Sequence, residues 1–215
     1  MATLVLFSGG CNSGKTTTLK AVASELQRLG CKVQILDEII RKEIDVPIDQ
    51  IRKDAKAYLQ LQDKIIRAKI KQEIEAIEDK SNCIYLADRA VTDSMFYLEN
   101  YVNKSELDED GIELLCNLHK YAHEYLQKYA CKFGLIAEFS PVEVKEKDDF
   151  RPAKINVLKD YEKTCISNLN YVYTNGYRKC NYTYINFNLF SSELAVSIIV
   201  EKIKYLKYIY EKANK

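Results

Sequence analysis

Leu4-Val5-Leu6-Phe7-Ser8-Gly9-Gly10-Cys11-Asn12-Ser13-Gly14-Lys15-Thr16 runs from an apolar tetrad through a glycine-rich turn into a helical pattern. Four apolar residues stopped by glycine suit a short strand buried on both faces. From Lys15 the spacing turns helical, with Leu19, Val22, Ala23, Leu26 and Leu29 on one face and Gly30 as a C-cap. Gly9 to Thr16 fits G-x-x-x-x-G-K-[ST] in full. The spacing lets successive backbone N–H groups converge on phosphate oxygens, and the helix start adds its positive end. Lys15 is expected at the β- and γ-phosphates, and the Thr16 hydroxyl on Mg²⁺. Gly9, Gly10, Cys11, Asn12, Ser13, Gly14, Lys15, Thr16 and Thr17 are the expected contacts of an NTP with Mg²⁺, and the motif alone does not separate kinases from ATPases or GTPases.

Working outward, strands alternate with helices. Lys32–Leu36 reads as a second strand, Cys83–Ala87 as a third, Phe133–Phe139 as a fourth and Tyr182–Phe187 as a fifth. Between them, apolar residues at helical spacing predict one long helix over Ile51–Ile77, shorter ones near Asp93–Tyr101 and Gly111–Tyr129, and another near Ala153–Leu169. Ser191 or Ser192 caps a final helix. This alternation predicts an α/β fold, a parallel sheet with helices on both faces. Val142–Arg151 is charged and without periodicity, as a mobile loop would be. The 215 residues, 47% hydrophobic, suit one domain, residues 1–215.

Composition excludes several classes. Seven separated cysteines without a Cys-x-x-Cys pair lack the usual zinc and thioredoxin spacings and suit reduced thiols in the cytoplasm. No apolar run is long enough to span a membrane. The 32 basic residues nearly balance 31 acidic ones, so no global field favours nucleic acid. His119 and His123 stand four apart on a helix without further ligand residues, and they read as ordinary helix histidines. The tyrosine stripe Tyr121, Tyr125 and Tyr129 reads as core packing with polar tips.

In an open α/β sheet, ligands sit beyond the carboxyl ends of the strands. Asp37-Glu38 ends the second strand and Asp88-Arg89 ends the third. A kinase uses one carboxylate at the acceptor hydroxyl and benefits from another at Mg²⁺ or its waters. Glu38 suits the first task and Asp88 the second, so the metal set is Thr16 with Asp88. Simple helix capping is the competing reading of Asp37-Glu38. Arg89 either clamps a phosphate or pairs with a nearby acid. Arg41 is a weaker candidate for the same pocket.

Taken together, the loop, Leu36-Asp37-Glu38-Ile39-Ile40-Arg41-Lys42-Glu43 and Leu86-Ala87-Asp88-Arg89 resemble the P-loop nucleoside and nucleotide kinase superfamily. The nearest likeness is to the AAA-named kinase-like domains similar to ribosylnicotinamide kinase. The resemblance implies the three-layer P-loop NTPase fold with a five-stranded parallel sheet, and a lid around 141–152. There Asp148-Asp149-Phe150-Arg151 is similar to the family's Asp-Gly-x-Arg, with Phe150 and the missing glycine as departures. It further implies Lys15 and Thr16 at the donor phosphates and Arg151 and Arg178 closing on phosphate. Gly176 is either part of the base pocket or a plain turn. The expected activity is Mg²⁺-dependent transfer of the ATP γ-phosphoryl group to a small nucleoside- or nucleotide-like acceptor. The alternatives are an NTP-dependent switch ATPase and a polynucleotide 5′-hydroxyl kinase. Absence of an Asn-Lys-x-Asp guanine signature counts against a GTPase.

Overall fold

The computed structural model describes residues 2–10, 13–40, 48–140, 181–187 and 189–213. Five strands are described: β1 (Thr3–Gly9), β2 (Lys32–Leu36), β3 (Cys83–Asp88), β4 (Leu135–Phe139) and β5 (Tyr182–Ile185). They form one parallel sheet in the order β2-β3-β1-β4-β5. The described helices are α1 (Lys15–Arg28), α2 (Ile48–Ile51), α3 (Ala55–Glu78), α4 (Val91–Tyr101), α5 (Glu109–Tyr129) and α6 (Ser192–Ala213). The lid around 141–152, the helix expected near Ala153–Leu169, and Cys11, Asn12, Arg41, Arg151, Gly176 and Arg178 lie outside the described residues.

The central strand shows why the sheet is covered on both sides. All seven residues of β1 are buried. Leu4 and Leu6 join a core with Tyr58, Leu59 and Ile66 of α3, Met95 of α4 and Leu118 of α5. Val5 and Phe7 point the other way, into a second core with Leu19, Val22 and Leu26 of α1 and Ala195, Ile199 and Ile203 of α6. This is the two-residue alternation of a strand between two helical layers.

Helix ends follow local chemistry. Gly30 lies at φ 80, its N–H bonds the Gln27 carbonyl and the Cys31 N–H reaches the Leu26 carbonyl, a Schellman ending. The long helix expected from Ile51 is broken. Ile51 is the last residue of the separate α2, and α3 starts only after Asp54, whose carboxylate accepts from the Ala57 N–H at 2.9 Å. Ser191 is the capping serine of α6, its Oγ accepting from the Leu194 N–H at 3.2 Å. Among the described residues, no helix is long and apolar enough to cross a membrane.

The buried stripe of α3 carries polar groups that a reading of apolar spacing passes over. Gln62, Lys69 and Glu73 lie on the same face as Ile66 and Ile70. The Lys69 ammonium donates to the Asp88 backbone carbonyl at 3.2 Å. Glu73 accepts from the Val91 N–H at 3.1 Å and from the Tyr125 hydroxyl at 2.5 Å. Tyr125 therefore packs in the core with its polar tip satisfied. Burial pushes the Glu73 carboxyl up from 4.5 to about 7, against the pull of Lys69 and of its hydrogen bonds. Burial likewise lowers the Lys69 ammonium, against the pull of Glu73, Asp88, Asp93 and Glu38.

Two predictions follow from this packing. Gly9 (φ 130) and Gly30 (φ 80) both lie where L-residues are strained, but their surroundings differ. A Cβ on Gly9 would stand 2.7 Å from the Phe139 carbonyl oxygen, whereas one on Gly30 meets nothing within 4 Å. Gly30→Ala should cost about 1–2 kcal/mol for the backbone alone. Gly9→Ala should cost a further ~1–3 kcal/mol from overpacking, read as the difference in urea midpoint. Glu73 supplies a pH dependence. Its folded pKa lies above its unfolded value, so the native state holds the extra proton between about 4.5 and about 7. Stability from this group therefore falls as pH rises through that window. Glu73→Gln should flatten that fall, with the variant gaining on wild type in melting temperature between pH 5 and pH 8.

Candidate active site

Three adjacent strands end at one edge of the sheet. Register pairs Phe7 with Asp88 and Leu36 with Ala87, so the chain leaves β1, β3 and β2 side by side. The phosphate loop leaves β1, Asp88-Arg89 leaves β3, and Asp37-Glu38 leaves β2. This edge is where ligands bind in parallel α/β sheets.

Lys15 opens α1 and is buried, at 5% exposure. Its ammonium donates to the Gly10 carbonyl oxygen and to Ser13 Oγ at 3.1 Å. Ser13 Oγ itself donates to the Gly10 carbonyl at 3.0 Å. Gly14 stands at φ 81 immediately before α1, and Thr18 N–H bonds its carbonyl at 2.9 Å. Thr16, in the first turn, donates its hydroxyl to Asp88 Oδ2 at 2.6 Å. Thr17 beside it is exposed. A hydroxyl and a carboxylate in contact provide oxygen donors of the kind Mg²⁺ prefers, so the Thr16–Asp88 pair fits that ion.

The second acid pair separates cleanly. Asp37 is exposed, while Glu38 is 8% exposed and bonded to Arg89 Nε at 2.5 Å. The guanidinium reaches further, with Nη1 3.3 Å from the Gly9 carbonyl and 3.4 Å from the Tyr97 hydroxyl. The acid beside Arg89 is thus Glu38. Arg89 also stands at φ 72, and its N–H bonds the Phe7 carbonyl at 2.9 Å. The left-handed backbone turns the chain sharply from β3 into α4 and aims the side chain back over β1.

Several neighbours escape a reading of motifs. Asp93 is fully buried and accepts from Ser8 Oγ at 2.9 Å, the Gly9 N–H at 3.0 Å and the Ala90 N–H at 2.8 Å. Its signal was its place in the first turn after Asp88-Arg89. Glu138, opposite Ser8 on β4, is a buried acidic side chain inside an apolar run, which is a signal in itself. Tyr97 and Tyr101, one turn apart on α4, stack with centroids 5.8 Å apart. The Arg89 guanidinium lies 5.3 Å from the Tyr97 ring and that of Arg52 3.9 Å from the Tyr101 ring. Away from this edge, His119 lies 3.9 Å from Glu99 and the His123 ring bonds the Gln127 side chain at 2.9 Å. No cluster of metal-binding type occurs among the described residues.

No curated protein matches the sequence. Among solved structures, the chain resembles a crystal structure of the NadR protein in complex with NAD and AMP-PNP. The TM-score is 0.62 at 11% identity, covering 94% of this chain and 50% of that one. The chain thus spans about half the length of that protein, and at this identity the likeness is one of fold. It agrees with the parallel five-stranded sheet and its phosphate loop, the P-loop NTPase fold. A sequence model described as AAA domain matches residues 4–188, a span that runs from β1 through β5. The chain belongs to this AAA domain family.

Proposed function

We propose that the protein is an Mg²⁺-dependent kinase that transfers the ATP γ-phosphoryl group to a hydroxyl or phosphate of a nucleoside- or nucleotide-like acceptor. The observation that carries this reading is the meeting of two pairs at one sheet edge: Thr16 with Asp88 and Glu38 with Arg89. The first pair belongs to the donor side. The second lies across β3 from it, where an acceptor hydroxyl would stand in line with the γ-phosphate. The ATP analogue and NAD bound by the similar NadR structure support nucleotide-like ligands on both sides.

In this reading, loop amides and the Lys15 ammonium hold the donor phosphates, and Lys15 exchanges its contacts with Gly10 and Ser13 for phosphate oxygens. Thr16 and Asp88 would hold Mg²⁺, which neutralises charge on the phosphates. Glu38 orients the acceptor hydroxyl and takes its proton. Its ion pair with Arg89 fixes it in direction, which suits orientation of a hydroxyl. A loose phosphoryl-transfer transition state asks chiefly for positioning and charge stabilisation, so a weakly basic carboxylate is sufficient. The stacked Tyr97 and Tyr101 give the acceptor a flat apolar wall beside the guanidinium.

A panel of nucleosides and nucleotides with ATP and Mg²⁺, read by mass spectrometry, should yield an acceptor one phosphoryl group heavier. Lys15→Ala should lower turnover by roughly 10²–10³-fold. Glu38→Gln should lower it by roughly 10²-fold or more while ATP affinity stays within a few-fold. Measurable ATP binding with no phosphorylated product across the panel would reject the kinase and leave a nucleotide-dependent switch. Full turnover in Glu38→Gln would remove Glu38 from the mechanism.

A further inference from the structure

We propose that Asp93 is a positioning residue that locks the entrance of the phosphate loop to the Asp88–Arg89 turn, so that metal-assisted nucleotide binding depends on it. An acid in the first turn of a helix ordinarily bonds the N–H of its own cap and faces water. Asp93 does bond the Ala90 N–H, at 2.8 Å. The same carboxylate also crosses to β1, accepting from Ser8 Oγ at 2.9 Å and the Gly9 N–H at 3.0 Å, and it is 0% exposed. Taking a carboxylate out of water is costly. A cap exposed to water would avoid that cost. Three converging donors and the helix end offset it here, and the arrangement spans two segments more than 80 residues apart.

The consequence is a closed circuit around Gly9. Asp93 holds its N–H, and Arg89 Nη1 lies 3.3 Å from its carbonyl oxygen. Arg89 N–H bonds the Phe7 carbonyl at 2.9 Å, and Lys69 holds the Asp88 carbonyl at 3.2 Å from the far side. Asp88 then meets Thr16 at 2.6 Å. The loop and the turn that carries Asp88 and Arg89 are thus tied by side chains beyond the last strand pair, Phe7 with Asp88. Asparagine at 93 would keep the size but not the charge. It has one acceptor oxygen and an NH₂ group, and the Gly9 and Ala90 N–H groups are both donors, so one of them must lose its partner.

The test is the factor by which Mg²⁺ tightens binding of a fluorescent ATP analogue, measured against the same protein in EDTA. It rests on the proposed function only for the place of Mg²⁺ at Thr16 and Asp88; the binding factor needs no acceptor. Asp93→Asn should lower this factor by about 10-fold or more, since displacements of about 1 Å at such sites cost up to ~10²-fold. Its affinity in EDTA should stay within about 3-fold of wild type, because the loop amides remain. Should Asp93→Asn fail to fold, as judged by its melting curve, Ser8→Ala decides. It removes one donor of three and should lower the factor by about 2- to 10-fold, the worth of one hydrogen bond. A folded Asp93→Asn with the wild-type factor overturns the proposal, as does equal loss of affinity with and without Mg²⁺. An unchanged factor in Ser8→Ala when Asp93→Asn is unfolded overturns it too, as does a wild-type protein that Mg²⁺ does not tighten. Absence of acceptor phosphorylation in the wild type rejects the kinase reading alone and leaves this measurement intact.

Discussion

The left-handed backbone of Arg89 is the constraint on which the site depends. A non-glycine residue at φ 72 costs about 1–3 kcal/mol and persists only where its surroundings hold it. Here they do so on several sides. The Arg89 N–H is bonded to β1, the Asp88 carbonyl to Lys69, and the Ala90 N–H to Asp93. With the kink in place, two side chains adjacent in sequence serve opposite tasks. Asp88 turns to Thr16 and the phosphate loop, while Arg89 turns to Glu38 and Tyr97. An extended backbone at 89 would place successive side chains on opposite faces of the sheet and separate these partners.

The support beneath this turn is polar, which is unusual for a core. Lys69 and Glu73 lie on the buried face of α3, and each is moved toward its neutral form by burial. Apolar residues in their place would pack at lower cost. What they supply is direction: an ammonium aimed at the Asp88 carbonyl, and a carboxylate that takes the Val91 N–H at the start of α4. Stability is given up at the foot of the site for fixed geometry at its mouth.

The sequence makes the framework legible because its signals are periodic or punctual. The glycine-lysine-threonine loop, the alternation of short apolar runs with helical spacing, and the acids at Glu38 and Asp88 all depend on local spacing. The break between α2 and α3 was missed because Asp54 caps a helix inside an unbroken apolar period, where a cap is one residue against many. Asp93 and Lys69 escape such spacing for another reason. Their partners at the site lie between 19 and 85 residues away, so local spacing does not show what they bind. Arg89 shows the same limit, since clamping a phosphate and pairing with an acid call for the same residue, and the acid beside it, Glu38, lies 51 residues away.

The Glu38–Arg89 pair carries a final consequence. Both side chains are nearly buried, at 7% and 11% exposure, and buried ion pairs contribute little net stability. Their placement is better explained by what they join. Glu38 comes from β2, Arg89 follows β3, and the guanidinium reaches the Gly9 carbonyl of β1. One guanidinium therefore links Glu38, the acid proposed for the acceptor, to the entrance of the phosphate loop. A shift of the loop on nucleotide binding would be felt at Glu38 through two hydrogen bonds, without any movement of the sheet. In the proposed phosphoryl transfer, governed by alignment, such a link would make the direction of Glu38 depend on the state of the phosphate loop.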